Sequence, residues 1–114
     1  MRFELEGRIV PYVRMTQKGK HGARAQAYLA SKGALSLQFK SQMGAPMFEK
    51  GKALGVSITI YMAKSTRSCD MDNQVKALLD SMNGIVYYDD RDINRIYAHR
   101  VRADEDFAVV NVIP

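Results

Sequence analysis

The stretch from Asp70 to Gly84 reads Asp-Met-Asp-Asn-Gln-Val-Lys-Ala-Leu-Leu-Asp-Ser-Met-Asn-Gly, and its two-faced pattern constrains the fold more than any other feature. At about 100° per residue, with Asp72 at the origin, Met71, Val75, Leu78, Leu79 and Met82 fall between about 240° and about 340°, while Lys76, Asp80 and Asn73 fall at about 40°, about 80° and about 100°. Asp70 is placed to start this helix and Asn83-Gly84 to stop it. So clean an apolar stripe needs a surface to seal against, and the flanking segments supply one. Residues 53–63 are rich in β-branched and aromatic side chains, and residues 93–102 and 107–113 alternate in strand fashion on either side of the turn Ala103-Asp104-Glu105-Asp106. Near the start, residues 2–10 put Phe3, Leu5 and Ile9 on one face and Arg2, Glu4, Glu6 and Arg8 on the other, and Pro11 ends that strand. Residues 26–43 hold Tyr28, Leu29, Leu35, Leu37, Phe39 and Met43 among good helix formers, with Gly33 as a weak point. Tyr12 to about Ala25 is polar and aperiodic and reads as a loop, Gly44 to Gly51 as a connection, Lys64 to Cys69 as a short basic turn, and residues 85–88 as a short strand or turn. The predicted order is β-α-β-α-β-β(-β), an α+β domain (α/β mixed) with two main helices packed on a mixed sheet.

With 114 residues, one domain spanning 1–114 is expected. A chain this small encloses little volume, so a site is expected as a surface groove or near a subunit interface. No apolar run reaches the roughly 20 residues that cross a bilayer, and no charged start followed by an apolar signal is present, so the expectation is a soluble, cytoplasmic protein without membrane contact. Cys69, the single cysteine, excludes an internal disulfide framework and reads as a small filler beside a loop.

The charges are segregated along the chain. Residues 1–67 hold 12 Lys and Arg against three acids, and residues 68–114 hold five against nine, which together make the net +5. A polyanion-binding surface beside an acidic cluster has this distribution. Arg14, Thr16, Lys18, Lys20 and Arg24 in the first loop, Lys64 and Arg67 in the later turn, and Asn73 on the helix are the candidate contacts to a nucleic-acid backbone. Asp70 and Asp72 stand at the start of the helix, and Asp89-Asp90 follow after a short connection. Each acid alone has an ordinary structural role, as a cap, a helix-dipole partner, an i,i+4 partner of Lys76 (Asp80) or a turn residue. Together they offer the hard oxygen ligands that Mg²⁺ selects, and phosphodiester hydrolysis is the chemistry such a site serves beside a basic surface. His21 and His99 read as ordinary surface or groove residues.

Asp70-x-Asp72-Asn73-x-x-Lys76-x-x-x-Asp80, followed by Asn83-Gly84-Ile85-Val86-Tyr87-Tyr88-Asp89-Asp90-x-x-Ile93, closely resembles the signature region of the RusA family of Holliday junction resolvases. Lys64 and Arg67 ahead of the first aspartate and the order of elements are similar too, whereas the first third offers only Pro11-Tyr12-Val13-Arg14-Met15-Thr16 where many members carry a Pro- and Arg-rich loop. The resemblance implies a Mg²⁺-dependent crossover junction endodeoxyribonuclease, with Mn²⁺ able to substitute, acting in recombination and repair. It implies a homodimer that nicks a four-way DNA junction symmetrically, with Asp70, Asp72 and Asp90 holding metal and Lys76 beside the scissile phosphate. Asp80 is then expected to support the site or the fold, and Asn73 to orient a carboxylate or touch phosphate, while a share for Asp89 stays open. Ile96, Val101, Phe107, Val109 and Val110 give the last strands apolar surface suited to a dimer contact. The alternatives are an endonuclease for flaps or other branched DNA, and a DNA-binding module without catalysis; the full set Asp70, Asp72, Lys76 and Asp90 speaks against the second.

Overall fold

A computed structural model of the chain describes residues 1–14 and 22–114. Strand β1 (Arg2–Glu6), helix α1 (Ala23–Ser41), strand β2 (Leu54–Ala63), helix α2 (Met71–Met82), a short 3₁₀ turn (Asp90–Asp92), strand β3 (Ile93–Ala103) and strand β4 (Phe107–Ile113) follow one another. The strands form one mixed sheet in the order β1-β4-β2-β3, in which β4 is antiparallel to both neighbours and β3 is parallel to β2. This is an α+β architecture with both helices on one face of the sheet. Strand alternation decides which face: Phe3 and Leu5, Ile58 and Ile60, and Ala108, Val110 and Val112 are all buried, together with Phe39 from α1 and Leu78 and Met82 from α2. Removing such a side chain from water contributes about 1.5–3 kcal/mol each. No helix among the described residues is long and apolar enough to cross a membrane.

Helix α1 starts at Ala23 and runs unbroken through Gly33, so it takes in the last three residues of the segment expected as a loop. Its buried positions Ala25, Tyr28, Leu35 and Phe39 follow the three-four-seven spacing of one helical face. Phe39 meets Phe3 edge-on at 5.0 Å. The same helix protects an open sheet edge. Gln38 exchanges two hydrogen bonds with the backbone of Glu6, and Gln42 two with that of Glu4, so these side chains act as a missing neighbour strand for β1.

Two further findings go beyond the sequence reading. Residues 85–88 form a turn, tied by an Asn83–Tyr87 bridge and by Gly84 donating to the Tyr87 carbonyl at 2.8 Å. Strands β3 and β4, joined by three residues, flank β2 on opposite sides. Asp106 fixes that passage by accepting from the Ala63 amide at 2.8 Å and from the Thr66 hydroxyl.

A candidate active site along helix α2

Helix α2 buries Gln74, Ala77, Leu78, Ser81 and Met82, and Asp72 and Lys76 lie exposed on its opposite side. Asp70 occupies the N-cap position but makes no capping bond with its side chain, so its carboxylate is left for other work. Beside it opens a cleft of about 680 Å³, lined by Arg8, Arg24 and Arg67 together with Tyr12, Asp70 and Asn73. A cleft lined by three arginines and one aspartate attracts phosphate while keeping one anionic ligand in its wall.

The walls of this cleft are tied to α2 by polar groups. The Tyr12 amide donates to the Asn73 carbonyl at 2.9 Å. Gln74, fully buried, donates through Nε2 to the Ile9 carbonyl at 3.0 Å. Arg100 of β3 donates to the Cys69 carbonyl and, at 3.4 Å, to Gln74 Oε1. The chain on both sides of Asp70 is therefore gripped from the sheet. Cys69 itself packs partly buried against the core.

Lys76 lies farther along the helix. Its Nζ is 3.9 Å from Asp80 Oδ1 and 4.7 Å from the centre of the Tyr12 ring. Asp80 in turn accepts from the Tyr28 hydroxyl at 3.2 Å. Burial first, and the Asp80 charge second, push the Tyr28 phenol far up, so it remains a hydrogen-bond donor.

The paired aspartates divide their work. Asp89 caps the 3₁₀ turn by accepting from the Arg91 amide at 3.0 Å, and that bond holds its carboxyl below the usual range. Asp90 makes no such bond. Desolvation raises it, followed by the hydrogen bond with Asp89 and the charges of Asp89 and Asp80, while Lys76 pulls the other way. Asp90 thus shares its surroundings with Asp80 and Lys76. The turn that carries it is anchored by Val86 and Tyr87, both fully buried, with the Tyr87 hydroxyl donating to the Leu79 carbonyl at 2.6 Å.

Among the described residues no group of three or more His, Cys, Asp or Glu side chains is arranged to hold a metal ion. Asp70 and Asp72 stand at the N-terminal end of α2, and Asp90 adjoins Asp80, which lies about 15 Å further along the axis from Asp70 at the usual helical rise. Mg²⁺ takes one or two protein carboxylates and completes its octahedron with water and substrate phosphate, so the donor chemistry present fits such an ion and does not fit an all-protein cage.

Of the residues expected to touch nucleic acid, Arg24, Arg67 and Asn73 line the cleft. Arg14 and Lys64 are exposed outside that lining, and Thr16, Lys18, Lys20 and His21 lie outside the described residues. His99 contacts the Tyr97 ring edge-on at 5.6 Å on the sheet face opposite the helices. Sequence reasoning missed Arg8, Tyr12, Tyr28, Gln74 and Arg100. Gly7 was the available signal for Arg8: with φ at +93° it ends β1, so the alternation that put Arg8 on a strand face does not continue.

No curated protein matches the chain. A family model does, described as Endodeoxyribonuclease RusA, and it matches residues 7–113, which take in every strand except β1, both helices, the arginine cleft and the Asp89-Asp90 turn. The chain belongs to the RusA family of endodeoxyribonucleases, which act on Holliday junctions.

Proposed function

We propose that this protein resolves four-way DNA junctions by paired, symmetric nicks that require Mg²⁺, with Mn²⁺ as a substitute. The observation that supports this reading best is the cleft of Arg8, Arg24 and Arg67 opening directly onto Asp70. The arginines, with Arg14, Lys64, Thr16, Lys18 and Lys20, bind the phosphate backbone, and Asn73 contacts phosphate at the cleft edge. Asp70 and Asp72 offer the ion hard oxygen ligands, and Asp90, which within one chain neighbours Asp80 at the other end of α2, would join them only from the second chain of a dimer. When bound, it supplies Lewis acidity at the phosphoryl oxygen and activation of water. Lys76 presents its ammonium to the phosphate, where it stabilises charge on the phosphoryl and leaving oxygens as the P–O bond breaks. Asp89, committed to its cap, contributes to the shape of the turn.

Two nicks on opposed strands call for two such sites, and a two-fold homodimer supplies them. The fold offers a surface for it. Helix α1 covers the edge of β1, whereas among the described residues no strand pairs with the far edge of β3. Along β3, Ile96, Tyr97 and Val101 are exposed. Val110 is core and does not contribute, while Phe107 stacks on Tyr61 at 4.1 Å on the sheet face away from the helices.

Replacing Asp72 by Asn tests the metal assignment. The variant is expected to lose Mg²⁺-dependent junction cleavage and to keep junction binding, because it removes an anionic ligand and leaves the phosphate contacts. Full activity in the variant contradicts the assignment.

A further inference from the structure

Asp80 is badly placed for what its helix needs. It sits in the last turn of α2, which has no basic residue, and the negative end of the helix dipole disfavours a carboxylate there. It follows Lys76 by four residues, the weaker order for such a pair. Its side chain is only 16% exposed, and it adds negative charge beside Asp90. A residue that breaks several local preferences at once marks a position kept for something other than stability.

Its contacts indicate what that is. Oδ2 accepts from the Tyr28 hydroxyl, and Oδ1 faces Lys76 Nζ at 3.9 Å. On its other side the ammonium meets the Tyr12 ring, which packs edge-on against Tyr28 at 5.4 Å. Tyr28 is 2% exposed and Tyr12 is pinned through its amide to α2, so the N-terminal segment, α1 and α2 converge on one ammonium group. Exposed ion pairs are weak in part because two free side chains must be ordered, and here the acid is ordered by the fold before the lysine arrives.

We propose that Asp80 is a positioning residue for the cleavage reaction: held by Tyr28, it fixes the Lys76 ammonium against the Tyr12 ring and directs it to the scissile phosphate. This rests on the reading of Lys76 given above and extends it to the residues that aim it.

Asp80→Asn keeps the size of the side chain and its Tyr28 partner and removes the charge. With saturating junction and Mg²⁺, kcat is expected to fall about 10- to 100-fold, the scale of a catalytic group displaced by about 1 Å, while the junction Kd measured without divalent ions stays within about twofold. The Tm is expected to hold or rise, because the helix end loses an unfavourable charge. Tyr28→Phe should produce a smaller loss of the same kind. In single-turnover reactions with enzyme in excess, Asp80→Asn should add no loss to that of Lys76→Met, since a residue acting through Lys76 has nothing left to position. An unchanged kcat, a loss accompanied by a fall in Tm, or an equal further loss in the Lys76→Met background would overturn the proposal, and the split between kcat, Kd and Tm decides on its own where Lys76→Met is too slow to follow. Wild-type activity in Lys76→Met would refute the role of Lys76 itself.

Discussion

Asp90 is held in the fold at a cost that its neighbours set. Desolvation and the carboxylates of Asp89 and Asp80 raise it, so the folded protein binds its proton more tightly than the unfolded chain does. Stability from this group is therefore present at low pH and is lost as pH rises from the ordinary aspartate range through the raised value. Without divalent ions at neutral pH, Asp90→Asn should raise Tm by about 2–5 °C, and added Mg²⁺ should stabilise the wild type more than the variant. A lower Tm in the variant, or equal stabilisation by Mg²⁺, contradicts this account. Residues of this kind were legible in the sequence because acids are scarce in a basic chain and their grouping stands out. Arg8 and Gln74 were not. The first was hidden in a strand pattern that Gly7 interrupts, and the second is a polar residue buried by partners 65 and 26 positions away.

At the level of elements, the join between α2 and the Asp89-Asp90 turn depends on Gly84, whose φ is +74°. A side chain there would meet nothing within 4 Å, so any loss on substitution comes from the backbone alone. Gly84→Ala is expected to cost about 1 kcal/mol in urea unfolding, with m unchanged. No change in midpoint would mean that the turn adopts another conformation. The ends of helix α2 were readable to within a residue from its cap position and its Asn-Gly stop, but its buried face was not: Gln74, Ala77 and Ser81 are buried beside Leu78 and Met82, while Met71, Val75 and Leu79 of the expected stripe are only half-buried. The placement of β3 and β4 on opposite sides of β2 was not readable, because it is decided by long-range pairing and by Asp106 bonding to Ala63 and Thr66. The glutamine clamps on β1 were equally hidden, as nothing in local spacing distinguishes Gln38 and Gln42 from solvated helix residues.

For the whole molecule, the segregation of charge becomes spatial. Arginines from the N-terminal segment, α1 and the turn before α2 gather in one cleft, and the acids follow along α2 to the Asp90 turn. The edge of β3 is left for association. Light scattering should report about twice the mass of one chain, and Ile96→Lys, which sets a charge on that edge, should shift the protein toward monomer. A monomeric wild type, or a dimer indifferent to the substitution, would remove β3 from the interface. The central claim is tested most directly by incubating a synthetic four-way junction, each of its four strands labelled in turn, with the protein and Mg²⁺. The account predicts nicks at symmetry-related positions in two opposed strands, absent when Mg²⁺ is chelated. Binding without cleavage, or trimming of flaps with the junction left intact, would contradict it.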